Sequence, residues 1–398
     1  MASEFGYFIL LVAAVFVGWL MGYWYWPRTV SKSADSSAPY YKGLNYLLSE
    51  QADAAVLTVV NELPVNVDTL PTHLALGNLL RSKGEVDGAI RIHQNLLSRP
   101  SLSREKLYQV HLELARDYIS AGVFDRAERL LRDVADESQP YRAEALEHLQ
   151  HIYQSEREWG QAIAVAQKRL TRKSWLKKTA PLSPSEKWVE RALSHYYCEQ
   201  ALLELDDHNI KGASKSLQSA LHHDKDNVRA YLLSANLAMS QQRPQLALEL
   251  LHSLIDRQPV FVSEVLPKIR EAFVEFGGAD AYLDALKRIA NSVESSAVAI
   301  EIADVLTRSG DAEAGLQYLL DFGANGPTLK LVFAVLERGQ SDGDKGLDLT
   351  LKFIRELRAE RPQYRCRQCG FSGRKLHWLC PSCEQWGTIT PIRGIQGD

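Results

Sequence analysis

The stretch "HLALGNLLRSKGEVDGAIRIHQNLLSRP", residues 73–100, reads as two short amphipathic helices broken at Lys83-Gly84, with Gly77 in the first and Ala89 in the second. The same twelve-residue step joins Gly43 to Ala55, Ala115 to Ala127, Ala201 to Ala213, Ala235 to Ala247 and Ala303 to Gly315. Gln150 and Ala162 keep the step with a large first residue. Small residues at a helix crossing let two antiparallel backbones approach, while neighbours such as Leu80, Tyr118 and Leu131 fill the flanks. The second small position recurs at intervals of 34, 38, 35, 51, 34 and 68 residues. The last interval is twice 34, which predicts a hidden unit with Ala281 midway.

A beat of about 34 residues is that of the tetratricopeptide repeat, in which each helix pair buries its apolar face against the next. Stacked pairs form a superhelix with an extended concave face suited to proteins and peptides. Eight or nine units are expected over residues 40–361, the last a weaker pair near 329–361. The 51-residue interval marks an insertion at about 169–188. It carries Arg169, Arg172, Lys173, Lys177 and Lys178, then Pro181 and Pro184, read as helix-ending. Its two readings are a solvated loop and a basic docking patch for an acidic partner or the anionic inner leaflet.

The N-terminal end is of another kind. Residues 5–27, "FGYFILLVAAVFVGWLMGYWYWP", hold no charge. That length suits a helix crossing hydrocarbon, and the Trp and Tyr cluster at its end suits the membrane boundary. Only Glu4 is charged before the run, and no small-residue cleavage region follows it, so an uncleaved anchor is expected rather than a signal peptide. Arg28, Lys32 and Lys42 follow the span and no Lys or Arg precedes it. The positive-inside rule then leaves residues 1–4 outside and the bulk of the chain, after a linker at 28–39, in the cytoplasm. Gly18 and Gly22 form a G-x-x-x-G step, through which the span could pair with a copy of itself or with another membrane protein.

A reducing compartment bears on the cysteines, four of which fall in "YRCRQCGFSGRKLHWLCPSCEQWGT", residues 364–388. Two C-x2-C steps can fold as knuckles whose thiolates converge in a tetrahedral S4 site. Cys366, Cys369, Cys380 and Cys383 are the candidate ligands for one ion, zinc or iron, which spacing does not separate. Four sulfurs leave no open position, so the site is structural in form, and in a module of about forty residues the ion would supply folding energy. Tyr364, Phe371, Trp378 and Trp386 are expected to pack around it as a small core, with His377 in a surface or packing role. The module's basic residues would suit nucleic acid, but a membrane tether and the lack of a long basic stripe argue against it.

No catalytic constellation appears. The remaining histidines are scattered on helical patterns, and neither a nucleophile elbow nor a phosphate loop is present. Cys198 lies on a helical pattern and reads as a small buried hydrophobe. The fold class expected is therefore all-α: a tetratricopeptide-repeat superhelix with one N-terminal transmembrane helix and a small C-terminal metal ribbon over 362–398.

Taken together, "LGNLLRSKGEVDGAIRIHQ" (76–94), "HYYCEQAL" (195–202), "YRCRQCGF" (364–371), "CPSCEQW" (380–386) and "PIRG" (391–394) resemble the lipopolysaccharide assembly protein B family of Gram-negative bacteria. The resemblance covers essentially the whole chain, least closely in the anchor and linker, and makes the C-terminal module rubredoxin-like. It implies a non-enzymatic inner-membrane adaptor that limits lipopolysaccharide synthesis and gathers its assembly enzymes. Such proteins bring the deacetylase that commits precursor to lipid A to a membrane-anchored AAA+ protease, which degrades it. A lipopolysaccharide-sensing inner-membrane protein is expected to restrain the adaptor through the anchor region. The resemblance also places the rubredoxin-like module against the repeats, with its four cysteines needed for function. Two rival readings stand beside this one: an electron carrier with iron in the S4 site, and a general membrane scaffold with no role in proteolysis.

Overall fold

The computed structural model describes residues 12–21, 66, 69–98, 102–170, 183–276, 278–324, 326–339, 345–395 and 397. The chain divides into two compact units, Met1–Arg157 and Glu158–Asp398. Of the uncharged run 5–27, residues 12–21 are helical and exposed, and the rest, Gly22 included, lies outside the described residues. Among the described residues no helix is long and apolar enough to cross a membrane. The first small pair, Gly43 and Ala55, also lies outside them.

In the first unit, α1 (Leu70–Ser82) and α2 (Val86–Leu97) form one hairpin, α3 (Arg104–Ser120) and α4 (Phe124–Glu137) a second, and α5 (Arg142–Ser155) follows. Gly77, Ala89, Ala115 and Ala127 are all buried, as a crossing position requires. A buried polar network runs beside them. His93 Nδ1 and Asp117 Oδ2 are 2.5 Å apart, and Arg81 donates to Asp117 Oδ1 at 2.7 Å and to Glu113 Oε2 at 2.9 Å. Buried charges persist only when paired in this way.

The second unit opens with α6 (Trp159–Leu170). Hairpins follow: α7 (Pro184–Asp206) with α8 (Ile210–His223), and α9 (Val228–Ser240) with α10 (Pro244–Arg257). After a 3-10 turn at Pro259–Phe261 come α11 (Val262–Phe276) and α12 (Ala279–Ser292), α13 (Ser296–Arg308) and α14 (Ala312–Gly323), then α15 (Leu329–Arg338) and α16 (Lys345–Glu360). At the α13–α14 crossing a Cβ on Gly315 would stand 2.9 Å from the backbone oxygen of Ala303, so the small pair is a direct backbone approach there.

The structure corrects two expectations in this unit. The hidden helix pair exists, but Ala281 is exposed. The fourth residue of α2, α4, α6, α8, α10 and α14 is the small one; in α12 that place belongs to Tyr282, whose partner twelve residues earlier is Arg270. Two large polar side chains carry no small-residue signal, and a neighbouring alanine on the outer face supplied a false one. Pro184 begins a helix instead of ending one. Ser183 caps α7 with a reciprocal box, its Oγ accepting from Glu186 N at 3.2 Å while Glu186 Oε2 accepts from Ser183 N at 2.8 Å. Proline suits the first helical turn because its missing N–H would have no partner there. Residues 169–170 and 184–188 at the two ends of the insertion are helical.

The C-terminal module is a three-stranded antiparallel sheet in the order β2-β1-β3, built from β1 (Tyr364–Cys366), β2 (Ser372–Gly373) and β3 (Ile389–Pro391). Tyr364 faces both Gly373 and Pro391, and Cys366 pairs with Ile389.

Candidate metal centre

Each C-x2-C step closes on itself in the same manner. In the first, Gly370 N donates to Cys366 O at 3.1 Å and Cys366 N to Phe371 O at 2.7 Å. In the second, Glu384 N donates to Cys380 O at 2.9 Å and Cys380 N to Gln385 O at 3.1 Å. The residue after the second cysteine is left-handed in both, Gly370 at φ 81° and Glu384 at φ 53°. Glycine adopts that conformation without strain, and Glu384 does so against its side chain.

The two knuckles bring four sulfurs together, all within 4.8 Å of one another. Cys366 Sγ lies 3.8 Å from Cys383 Sγ, and Cys369 Sγ lies 3.7 Å from Cys380 Sγ. Thiolates about 2.3 Å from a central ion at tetrahedral angles would be about 3.8 Å apart. The cradle therefore has the dimensions an S4 ion needs. His377 lies outside this group, its ring edge-on to Phe371 at 6.3 Å.

Electrostatics without the ion are uneven. Burial pushes the Cys366 thiol up, but the Thr388 hydroxyl 3.2 Å away and nearby backbone N–H groups outweigh it and bring the thiol down to about 6. The backbone N–H of Phe371 lowers Cys369. Burial instead drives Cys383 up to about 12. A cation at the centre would favour the thiolate at all four positions. Cys198, far from the group in sequence, is fully buried and its thiol is pushed up to about 12 by that burial, as suits a packed hydrophobe.

The aromatic residues of the module divide, contrary to the expectation of one small core. Tyr364, Cys366, Cys380 and Ile389 form that core with Phe371, Leu376 and Cys383 against them. Trp386 turns away and docks on α6 and α7. Its ring stacks on His195 at 4.8 Å and 20° and stands edge-on to Tyr196 at 6.1 Å and Trp159 at 6.4 Å. Trp378 lies 6.4 Å from His195 and packs on the core of the second unit. A module this small has too little interior for two indoles, so their apolar area is buried on the neighbouring helices instead. Gly387, at φ 64°, passes so close that a Cβ would lie 3.1 Å from His195 Nε2. Burial lowers the pKa of His195 well below its ordinary value, with Arg229 and Arg191 adding to the effect, so a neutral ring receives the indole.

Further bonds tie the module to distant helices. Tyr364 OH donates to Glu264 Oε1 at 2.6 Å, Arg374 Nη1 to Ala359 O at 3.1 Å, Leu329 N to Ile395 O at 3.0 Å, and Arg393 to the carbonyl of Pro259. Sequence reasoning missed Thr388, Glu264, Trp159 and His195. Their partners are remote in the chain, and no spacing rule links them.

The remaining candidate residues are not brought to this centre. Among the described residues, nothing beyond its chain neighbours and its own helix backbone stands within 4 Å of where a Cβ on Gly18 would lie. Arg169 lies in the last turn of α6 with its guanidinium 6.0 Å from the Trp188 ring. Arg172, Lys173, Lys177 and Lys178 lie outside the described residues.

Helix hairpins at a 34-residue beat and a docked four-cysteine ribbon define a tetratricopeptide-type protein with a rubredoxin-like C-terminal module. Family models agree locally: residues 72–107 match the tetratricopeptide repeat and residues 364–391 the rubredoxin metal binding domain. Over its length the chain is 33% identical to lipopolysaccharide assembly protein B of Escherichia coli K12, covering 98% of both chains. It is 31% identical to lipopolysaccharide assembly protein B of Haemophilus influenzae, covering 97% of both. The chain belongs to the lipopolysaccharide assembly protein B family. Among solved structures, the C-terminal part of a repeat-containing protein from Cytophaga hutchinsonii overlays with a TM-score of 0.36 at 11% identity, covering 74% of this chain and 99% of that one, too loosely to carry weight.

Proposed function

We propose that the chain is a non-enzymatic inner-membrane adaptor that restrains lipopolysaccharide synthesis. It would act by presenting the lipid A pathway deacetylase to a membrane-anchored AAA+ protease, and would gather assembly enzymes at the membrane. The observation that carries this reading is 33% identity over 98% of the chain to a protein named for lipopolysaccharide assembly. The helix-pair array supports it, since such arrays offer extended surfaces to proteins. The uncharged run 5–27 supports a single span with the repeats on the cytoplasmic side. Gly18 and Gly22 are the proposed contact with a lipopolysaccharide-sensing membrane protein or a second copy. The basic residues from Arg169 to Lys178 are a proposed docking patch.

Within this reading residues 40–361 are the repeat array and 362–398 the metal module. Cys366, Cys369, Cys380 and Cys383 would hold one zinc or iron ion. A bound ion supplies cross-linking and folding energy there, since four thiolates leave it no position for a substrate. The remaining residues of the module do the docking.

The test is the half-life of the deacetylase in cells carrying the full chain, no copy, or a chain lacking residues 1–27. Rapid turnover is expected with the full chain alone, although the truncated protein folds. Equal half-lives with and without the full chain would leave a scaffold with no role in proteolysis.

A further inference from the structure

The α11–α12 hairpin, which lacks the small pair, is also loosely packed. Arg270 on α11 and Tyr282 on α12 hold apart two helices that Gly or Ala would let close, and this hairpin packs more sparsely than any other described in its unit. A cavity of about 360 Å³ results between α11, the start of α12 and the end of α13. Phe273, Val274, Tyr282 and Val305 give it apolar walls, with the Phe273 and Tyr282 rings 5.5 Å apart. Val274 is 78% exposed, an apolar side chain left on the wall with nothing over it.

Charge at the mouth is unbalanced. Glu301, buried behind the rings, accepts from Tyr282 OH at 2.9 Å and from Arg270 Nη2 at 2.8 Å. Arg308 also lines the cavity, but stands 3.7 Å from Glu301 and keeps 58% of its side chain exposed. Among the described residues there, one carboxylate thus faces two guanidiniums, and the excess charge sits on the more exposed one. Guanidinium forks suit carboxylates in two-point contact.

We propose that this open crossing is a docking pocket for a linear peptide of a partner protein that presents a bulky apolar side chain next to a carboxylate. The apolar group enters between Phe273, Tyr282 and Val305, and the acid meets Arg308. The proposal goes beyond the adaptor reading, which needs protein partners but not this pocket, and its test is a binding measurement independent of deacetylase turnover.

A fluorescently labelled peptide with Phe-Glu in a Gly-Ser frame is titrated against the full chain in detergent and followed by anisotropy. Saturable binding is expected. Arg308→Gln, which leaves Glu301 paired with Arg270, and Val274→Asp, at an exposed position, should each weaken it at least tenfold with unchanged melting temperature. Replacing Glu by Gln in the peptide should weaken it to a similar degree. Absence of saturation at millimolar peptide, binding indifferent to both substitutions, or displacement by sodium decanoate at lower concentration than by unlabelled peptide would overturn the proposal, the last by assigning the pocket to a fatty acyl chain.

Discussion

Gly77, the first member of its small pair, and Gly315, the second member of its own, are small for different physical reasons. Gly315 meets the backbone of the facing helix, whereas a Cβ on Gly77 would stand 2.3 Å from His93 Nε2. That ring is fully buried and its other nitrogen is held by Asp117, itself tied to Arg81, so it has little room to yield. Gly77→Ala should therefore destabilise the first unit by about 1–3 kcal/mol, an overpacking penalty. In a His93→Ala background the same change should become neutral or stabilising by up to about 1 kcal/mol, because only the helix preference of alanine over glycine remains. Urea denaturation of the four proteins closes the cycle, and an equal penalty in both backgrounds would remove the ring as the reason. The small residue was legible in sequence, its cause was not. A histidine sixteen positions on, in the facing helix, leaves no local mark.

At the scale of the element, the hairpins share a turn that periodicity alone does not announce. The residue two before α2, α4, α6, α8, α10 and α14 is left-handed: Gly84, Gly122, Arg157, His208, Gln242 and Gly310 have φ between 58° and 97°. The next N–H reaches back over the helix end, as Glu85 N does to Leu80 O at 3.0 Å and Arg243 N to Ala238 O at 2.9 Å. This is the helix stop that glycine satisfies without steric cost. Only half of these positions carry it, so the glycines marked some turns and the small-residue step had to locate the others. Gln242→Gly should raise stability by about 0.5 kcal/mol, the left-handed penalty of roughly 1 kcal/mol less the chain entropy that glycine adds to the unfolded state. A shift of the denaturation midpoint to higher urea with unchanged slope would show it, and a lower midpoint would mean that the glutamine side chain holds the turn. The four cysteines belong to this scale too. Their spacing is local and dictated by ligand geometry, so the cradle was readable from sequence, while the register of α12 was not, because Arg270 and Tyr282 stand where most crossings carry small residues.

At the scale of the molecule, the module's small core and its docking face are separate, and the link between them can be tested. Trp386 is 3% exposed and follows Cys383 by three residues, so the fold of the second knuckle decides where the indole points. Truncating a buried tryptophan costs about 3–5 kcal/mol, so its contact with His195, Tyr196 and Trp159 is a large share of what holds the module to α6 and α7. Loss of an ion from the four sulfurs would leave the knuckles without their cross-link, and Trp386 and Trp378 would enter water together. Chelation of the full chain should therefore red-shift tryptophan emission and lower the melting temperature of the second unit. The helices are stabilised by their own hairpin contacts, so far-UV helicity should persist, and the transition of the first unit should not move. Trp386→Ala separates the two causes: it should undock the module while metal stays bound in stoichiometric amount. If chelation melted both units together, the module would be part of one cooperative core instead of a clasp whose hold depends on its sulfurs.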